Sequence, residues 1–471
     1  MKTTIERGTD VADAVRTARV AATWWAGLAF DERAQRLDRW RGIIARRAPE
    51  LAEIIHLEMG KPRPDAMLEI AMALEHLAWA SKNAGKVLGR RSVRSSLLTI
   101  NQAASLEYRP LGVVGVIGPW NYPIFTPLGS ISFALAAGNA VVYKPSEFAP
   151  GVGEWLGRAF AEVVPEHSAL QVITGDGSVG AELCRSGVDK IGFTGSTATG
   201  KKVMAACAET LTPVLMECGG KDALILDSTG NVDAAADAAV WGALSNSGQT
   251  CLGVERVYVH EDVYDEFLDK TIALASKIRS GSGAQDKIGP ITMPSQVDII
   301  RRHLTDAVAK GGRVVLGGPD AISGQYVQPT ILVDVPEDSL AVTEETFGPT
   351  MTIAKVRTMD EAIMHTNASR YALGLSVFSK SGVAIADRIR SGGASVNSYV
   401  MYAAIPNLPL GGVGESGFGR VHGADGLKEF TYARALSRQR FPSLLPLTTF
   451  RRTTRIDSLI RVLIRALHGR H

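Results

Sequence analysis

The sequence predicts an α/β protein built from two units of parallel sheet, and three observations carry that prediction. Short β-rich runs ending in glycine or proline recur at LGVVGVIGP (111–119), NAVVYKPS (139–146), ALQVITG (169–175) and KIGFTGS (190–196), with helical segments between most of them, and TPVLMECGG (212–220) closes the series. Strand, crossover helix and strand in alternation make a parallel sheet covered on both faces. A second series, DALILD (222–227), RVYVH (256–260), GRVVLGG (312–318) and SVFSK (376–380), is again interspersed with helices and predicts a second α/β unit. Finally, 471 residues exceed what one ordinary core accommodates.

Ahead of the first strand, residues 10–85 read as helix, because alanine, leucine, arginine and glutamate dominate and apolar residues recur at three and four. No charged residue lies between Arg109 and Lys144, a length that would satisfy a membrane-span test. Pro110, Pro119, Pro123 and Pro127, with interleaved glycines, break that stretch into strand, turn and short helix, so it reads as buried interior. Two glycine patterns then compete for a phosphate-binding role. Gly175-Asp-Gly-Ser-Val-Gly180 matches GxGxxG after a strand, without a clear acidic residue about 20 positions on. Gly195-Ser-Thr-Ala-Thr-Gly200 follows KIGFT and opens a helix whose N-terminal N–H groups suit a pyrophosphate, although a plain strand-to-helix turn reads equally well. Further on, NSGQTCLGVERV (246–257) sets Cys251 among small polar residues after the helical segment 232–244, at an element boundary where side chains reach a cleft. A cysteine kept for packing belongs inside an apolar run.

The composition, 45% hydrophobic and 21% charged, is that of a globular protein. The net charge of +3 hides an asymmetry: residues 441–471 hold six arginines and one aspartate, a surplus of five, which leaves the first 440 residues at −2. The body therefore lacks the basic signature of a nucleic-acid binder. Cys184, Cys207, Cys218 and Cys251 show no CxxC spacing, and the nine histidines form no HExxH, which argues for a reducing compartment and against zinc. MKTTIERGTDVADAV at the N-terminus has acidic residues and no apolar core, so a cytoplasmic protein is expected.

Seven segments, PWNYP (119–123), KPSE (144–147), FTGSTATG (193–200), MECGGK (216–221), GQTC (248–251), EETFGP (344–349) and PLGGVGESGFGR (409–420), resemble, in family order, the motifs of the aldehyde dehydrogenase superfamily over residues 10–440. The resemblance implies a variant Rossmann cofactor domain (1–91 and 111–219), an α/β catalytic domain (220–411) and a small β oligomerisation element (92–110 and 425–440), with a basic amphipathic tail (441–471) beyond. GVGESGFGRVHG (412–423) is closer to the shorter, often dimeric branch, so a homodimer, or else a tetramer, is expected. The cofactor implied is NAD, with NADP as a second option, and no metal.

The chemistry has its own logic. An aldehyde C–H is a poor hydride donor until the oxygen becomes an alkoxide, so oxidation to the acid needs a nucleophile, and a soft thiol suits the step. Cys251 is the candidate; a free thiol with a pKa of roughly 8.5 is only a few per cent thiolate at neutral pH and needs a base or favourable dipoles. Glu217 fills the slot of the base that activates water against the resulting thioester, and Gly219-Gly220 beside it leave the backbone free to swing the carboxylate. Asn121 and the backbone N–H of Cys251 are the implied donors to the oxyanion. At the cofactor, the matching positions imply Lys144 and Glu147 at the adenosine ribose, Gly195, Ser196 and Gly200 at the pyrophosphate, and Glu345 with Phe347 at the nicotinamide, with Trp120 and Ser146 in the same set. This decides the glycine contest for 195–200. Glu147 can accept from both ribose hydroxyls and would repel a 2′-phosphate, which favours NAD, while Lys144 nearby leaves NADP open.

Departures from the pattern are informative. Cys218 stands where the family commonly has leucine and reads as core. Val421 replaces a glutamate after the arginine of GFGR, so proton relay must use water or another group. Leu410 replaces an aromatic, and Gly129 lies where some relatives carry tryptophan; both changes are expected to widen the substrate passage. Residues 250–254 offer no positive charge, and SYVMYAAIPNLPL (398–410) is uncharged and partly aromatic. An apolar aliphatic or aromatic aldehyde is therefore expected over a carboxylate-bearing semialdehyde, whose charge would be buried without a partner. The alternatives are a semialdehyde dehydrogenase, a coenzyme A-acylating enzyme, against which Glu217 argues, and an idle structural relative, against which Cys251, Glu217 and Asn121 argue together. In the tail, Ile456, Leu459, Ile460, Leu463, Ile464 and Leu467 fall on one helical face. A helix of about 13 residues would be roughly 20 Å long, too short to cross a core of about 30 Å. It either packs on its own dimer or lies in a membrane surface as a peripheral contact.

Overall fold

The computed structural model describes residues 10–283, 285–443 and 448–469. The first nine residues of the expected cofactor domain, and positions 444–447 and 470–471 of the tail, lie outside that description.

Two compact units emerge, one from 10–87 and 110–432, the other from Leu88–Arg109 with the segment after Tyr432. In the first, the N-terminal helical pattern divides into Val11–Gly27, Phe30–Arg46, Ala48–Met59 and Arg63–Leu88. The breaks fall where the backbone leaves the helical region, at extended Leu28 and Ala29 and at left-handed Gly60. Apolar faces bury Trp25, Leu37, Trp40, Ile44 and Leu51. The Trp25 indole donates to the Leu135 carbonyl at 2.8 Å, and Trp40 meets Phe160 edge-on.

The first sheet runs in the order Gly417–Phe418, Val214–Glu217, Lys190–Thr194, Val113–Ile117, Ala140–Lys144, Leu170–Val172. All neighbours are parallel except the Gly417–Phe418 pair. The uncharged stretch after Arg109 is the central strand Val113–Ile117, a turn, the wholly buried helix Phe125–Ala137 and the next strand. Strand order reverses between Val113–Ile117 and Lys190–Thr194, and at such a switch point the carboxyl ends of two neighbouring strands open a crevice. Residues 119–121 leave one of those ends and residues 195–196 the other.

The second sheet runs Arg313–Leu316, Thr330–Val333, Thr350–Val356, Val254–His260, Asp222–Leu226, Leu375–Phe378, Ser395–Val396, parallel apart from its first pair. Thr330–Val333 and Thr350–Val356 were not expected as strands; short apolar runs lacking a clean alternation carry little periodic signal. The expected boundary at 219/220 falls between the two sheets. Glu217 ends the last parallel strand of the first sheet, while Cys251 and Glu345 precede strands that begin in the second, so a cleft lies between carboxyl ends of one sheet and amino ends of the other.

In the second unit, Arg91–Val93, Gln102–Pro110 and Thr431–Gln439 form a three-stranded sheet with half-buried or exposed residues throughout. The helix of the tail spans Thr454–His468 and buries none of its side chains. No described helix is long and apolar enough to cross a membrane.

Candidate active site

The loop that presents Cys251 begins with a reversal of backbone handedness. After the helix Val232–Leu244, Asn246 (φ 51), Ser247 (φ 59) and Gly248 (φ 70) all adopt left-handed conformations. Each non-glycine residue there costs on the order of 1–2 kcal/mol, so the arrangement persists only if its surroundings enforce it. They do. The Asn246 amide donates to the Asn121 carbonyl (3.0 Å) and the Gln249 carbonyl (3.2 Å), and the Ser247 hydroxyl to the Gly289 carbonyl (2.7 Å). Gln249 accepts from the Thr292 N–H at 2.8 Å, and a side chain on Gly248 would strike the Gly348 carbonyl. The residue types of Asn246, Ser247, Gly248 and Gln249 are thus demanded one by one. Cys251 is half-buried, whereas Cys184, Cys207 and Cys218 are buried.

Two cavities meet at Cys251. One, about 1090 Å³ of empty space, is lined by Tyr122, Phe125, Trp241, Tyr399, Leu410 and Glu217 among others; the second, about 1380 Å³, by Trp120, Asn121, Ser196, Glu345 and Phe347 among others. Thr194 and Cys218 also line both, so Cys218 is buried yet adjoins the site.

Asn121 donates to the Gln249 carbonyl at 2.9 Å, which leaves its second N–H for another acceptor. Its own carbonyl accepts from the Lys61 ammonium at 2.7 Å. Lys61 forms a fully buried ion pair with Glu69, whose other oxygen accepts from the N–H groups of Ile124 (2.8 Å) and Phe125 (3.1 Å). Sequence reasoning missed this pair. The signal available was Lys61 and Glu69 eight residues apart flanking a helix start, with nothing to say what they hold.

Glu217 is buried, pairs across the sheet with Gly417 and accepts from the Thr194 hydroxyl at 3.2 Å. Burial lifts its carboxyl to about 7, against the opposing pull of Thr194 and Arg420. The Cys251 thiol is pushed far above its ordinary range, first by burial and then by the Glu217, Glu345 and Asp222 carboxylates, while the Leu252 N–H acts in the other direction. The two glycines after Cys218 serve close approach: a Cβ on Gly219 would meet the Glu345 carboxylate, and one on Gly220 the Cys251 carbonyl.

On the larger cavity's side, Ser196 caps the helix Thr197–Ala208 by accepting from the Thr199 N–H. A neutral cap leaves the positive helix end available to an anion, whereas the rival helix Gly177–Arg185 is capped by the Asp176 carboxylate. Gly195 and Ser196 line the cavity; Gly200 is buried against Cys218 and Phe193, a packing position. Trp120 and Phe347 meet edge-to-face at 5.6 Å, and Phe347 is itself left-handed (φ 52). Glu345 accepts from the Gly220 N–H at 3.0 Å, and burial, with Glu255 next, lifts it to about 8. Its loop is fixed by Glu255, which accepts from the N–H groups of Thr346 and Phe347 and pairs with buried Lys221. Neither residue was singled out from sequence. Lys144, Ser146 and Glu147 cluster apart from this wall: Lys144 is 3.7 Å from Glu147, and Ser146 donates to Glu147 at 3.3 Å. Burial pulls the Lys144 ammonium below its usual value.

One expectation needs correcting. Gly129 does not widen the passage, because the space above it is filled by His422, whose Nε2 would lie 2.8 Å from a Cβ there. His422 lines the smaller cavity, stacks on His76 at 3.7 Å, and both of its ring nitrogens are buried without a hydrogen-bond partner. Leu410 does line the cavity, and Val421 pairs with it through backbone hydrogen bonds of 2.8 Å.

Residues 2–436 match the aldehyde dehydrogenase family. The chain is 37% identical to a 4,4'-diapolycopene aldehyde oxidase of a Methylomonas species, over 88% of this chain and 79% of that protein. It is 35% identical to a putative succinate-semialdehyde dehydrogenase [NADP(+)] of Mycolicibacterium smegmatis, over 94% and 88%. The crystal structure of a putative aldehyde dehydrogenase from Burkholderia cenocepacia superposes with a TM-score of 0.89 at 33% identity, covering 94% of this chain and 92% of the other. Taken with a thiol at the junction of two cavities and a buried carboxylate on the wall of one, these likenesses establish that the chain belongs to the aldehyde dehydrogenase family.

Proposed function

We propose that the chain oxidises an apolar aliphatic or aromatic aldehyde to its carboxylic acid with NAD, NADP serving as an alternative, through a thioester on Cys251. The observation that carries this reading is the position of Cys251 where the two cavities join, with Glu217 facing one and Glu345 the other. The cavity bearing Ser196, Trp120, Glu345 and Phe347 fits a dinucleotide: an uncharged helix cap for the pyrophosphate, aromatic rings and a carboxylate for the nicotinamide riboside. Bound there, the nicotinamide supplies the acceptor for the aldehyde hydrogen. Lys144 and Glu147 would take the adenosine ribose.

The residues divide the remaining work. The raised thiol of Cys251 must lose its proton as sulfur bonds to the carbonyl carbon, and Glu217, poised near neutrality, is the matched acceptor. Asn121 and the Cys251 N–H donate to the oxygen as its charge develops. Glu217 then releases that first proton to solvent; water attacking the thioester gives its own proton to the freed carboxylate, which returns it to the sulfur as the carboxylic acid departs, so that the one proton of the overall reaction leaves to solvent. The base at Glu217 favours hydrolysis over transfer to coenzyme A.

Substrate preference follows from the lining of the smaller cavity. Among the described residues that line it, the one ammonium, Lys61, is already bonded to Glu69 and the Asn121 backbone carbonyl, which leaves no spare cation among them for a substrate carboxylate. The semialdehyde reading is favoured by the names of several mycobacterial relatives, putative succinate-semialdehyde dehydrogenases 34–35% identical to this chain. The protein works in the cytoplasm as a homo-oligomer assembled through 92–110 and 425–440, with the tail in peripheral contact with a membrane. A panel of aldehydes followed by NADH absorbance tests the reading. Medium-chain or aromatic aldehydes should give the higher kcat/KM, and greater efficiency on succinic semialdehyde would overturn it.

A further inference from the structure

The compact unit formed by Leu88–Arg109 and the segment from Ala433 onward contains thirteen arginines, no lysine, and only Glu107 and Asp457 as acids, a surplus of eleven positive charges in a chain whose total is +3. The acids are already engaged: Glu107 holds Arg90, Arg109 and Arg434, and Asp457 lies 4.0 Å from Arg452. Within the helix Thr454–His468, Ile456, Leu459, Ile460, Leu463, Ile464 and Leu467 share one face, and Arg461 and Arg465 project from the other. The apolar face is not put away inside the unit, since Leu459, Ile464 and Leu467 are exposed, and Phe450, just ahead of the helix, is fully so.

We propose that the tail of this unit, beyond the strand Thr431–Gln439, docks on an anionic phospholipid surface, the helix Thr454–His468 lying in the interface plane with its aliphatic face among acyl chains and its arginines on lipid phosphates. The proposal rests on the peripheral contact in the functional reading above and names its partner chemistry. Arginine rather than lysine suits phosphate, because the planar guanidinium offers paired donors. A nucleic acid would satisfy the arginines and leave the aliphatic face and Phe450 in water. A second copy would satisfy the aliphatic face and add the same positive surplus. An anionic membrane satisfies both. The helix, 15 residues or about 22 Å long, is too short to cross a core of about 30 Å and of the right character to lie within its boundary.

The test uses the full chain, a variant ending at Phe441, and the full-length substitution pair Arg461→Glu with Arg465→Glu. Each is sedimented with vesicles of phosphatidylcholine alone and of an equimolar mixture with phosphatidylglycerol. Salt is set so that the Debye length is about 10 Å and then about 3 Å. The full chain should pellet with the anionic vesicles only, and high salt should release it. Truncation should abolish pelleting. The double substitution should weaken partitioning by at least about 25-fold, five-fold for each arginine lost at about 1 kcal/mol apiece. Equal pelleting of full-length and truncated protein overturns the proposal, as does a tail-dependent change in oligomeric state without pelleting, or displacement from the vesicles by RNA. Oxidation of benzaldehyde by the truncated variant is the control. Its loss in all three proteins would count against the catalytic reading and leave the docking result standing.

Discussion

The side-chain amide of Asn121 donates to the backbone carbonyl of Gln249 at 2.9 Å, tying the turn after the central strand of one sheet to the loop that presents Cys251 ahead of the other. The same amide retains a second hydrogen, and Asn121 and Cys251 line the same cavity. One group therefore aligns the loop and is the oxyanion donor proposed above.

Asn121→Ala should lower kcat by about 10²–10³-fold, the usual cost of one oxyanion donor. Because the Gln249 contact is lost as well, alkylation of Cys251 by iodoacetamide should also change rate. An unaltered kcat would remove Asn121 from the chemistry.

Cys251→Ala should abolish turnover while NAD binding, followed by fluorescence titration, is retained. Glu217→Gln should release a burst of NADH and then stall. A steady rate near wild type without a burst would remove Glu217 as the base.

Glu217 also links folding to pH. Its folded-state carboxyl sits near 7 against an ordinary value of 4.5, so the native state holds the proton more tightly than the unfolded chain. Stability is full below about 4.5 and declines as pH rises towards 7, by about 3 kcal/mol in all. Glu217→Gln should therefore raise Tm at pH 8 and leave it nearly unchanged at pH 4.5. In the wild type, the steady-state rate should fall about tenfold per pH unit below 7 wherever thioester hydrolysis limits it.

At the other end of the cofactor, Glu147→Ala removes the carboxylate expected to oppose a 2′-phosphate while Lys144 remains beside it. The ratio of kcat/KM for NADP over NAD should rise. A fall would mean that Glu147 serves Lys144 alone.

His422→Leu replaces a ring with two unpartnered nitrogens by an apolar side chain. Leaving a buried donor or acceptor unpaired costs about 1–3 kcal/mol, so this variant should melt no lower than wild type, and about 1–3 °C higher for a chain of this length. A large drop in Tm would show that the stack on His76 outweighs the missing hydrogen bonds.

Much of the candidate site was legible in the sequence, Cys251 from its local setting and the rest chiefly through the resemblance of the seven motifs. The thiol stands outside any apolar run, the glycine-rich turn opens a helix, and Glu217 ends a β-rich segment before two glycines. The supports were not legible. Lys61 and Glu69 precede the turn they hold by more than fifty residues, and Glu255 looks like an ordinary strand residue until the loop at 346–347 folds over it. A hydrogen bond to a backbone N–H leaves no trace in the identity of the residue that donates it. The same limit explains Gly129: its neighbour His422 lies almost three hundred positions away, so a missing side chain read as empty space. Helix Val232–Leu244 and the strands of the first sheet carried their own periodicity and were readable, while Thr330–Val333 and Thr350–Val356 acquire their identity only from parallel neighbours.

The lopsided distribution of charge has a practical consequence for handling the protein. A chain of net +3 with eleven surplus positive charges in one unit leaves the rest at −8, so its isoelectric point describes neither part. Such a molecule should be retained on both cation- and anion-exchange resins at neutral pH. In dilute buffer it should also form loose, salt-reversible clusters as the acidic part of one molecule meets the arginine-rich part of the next. Light scattering across a salt series would separate those clusters from a closed oligomer, whose mass stays fixed as salt rises.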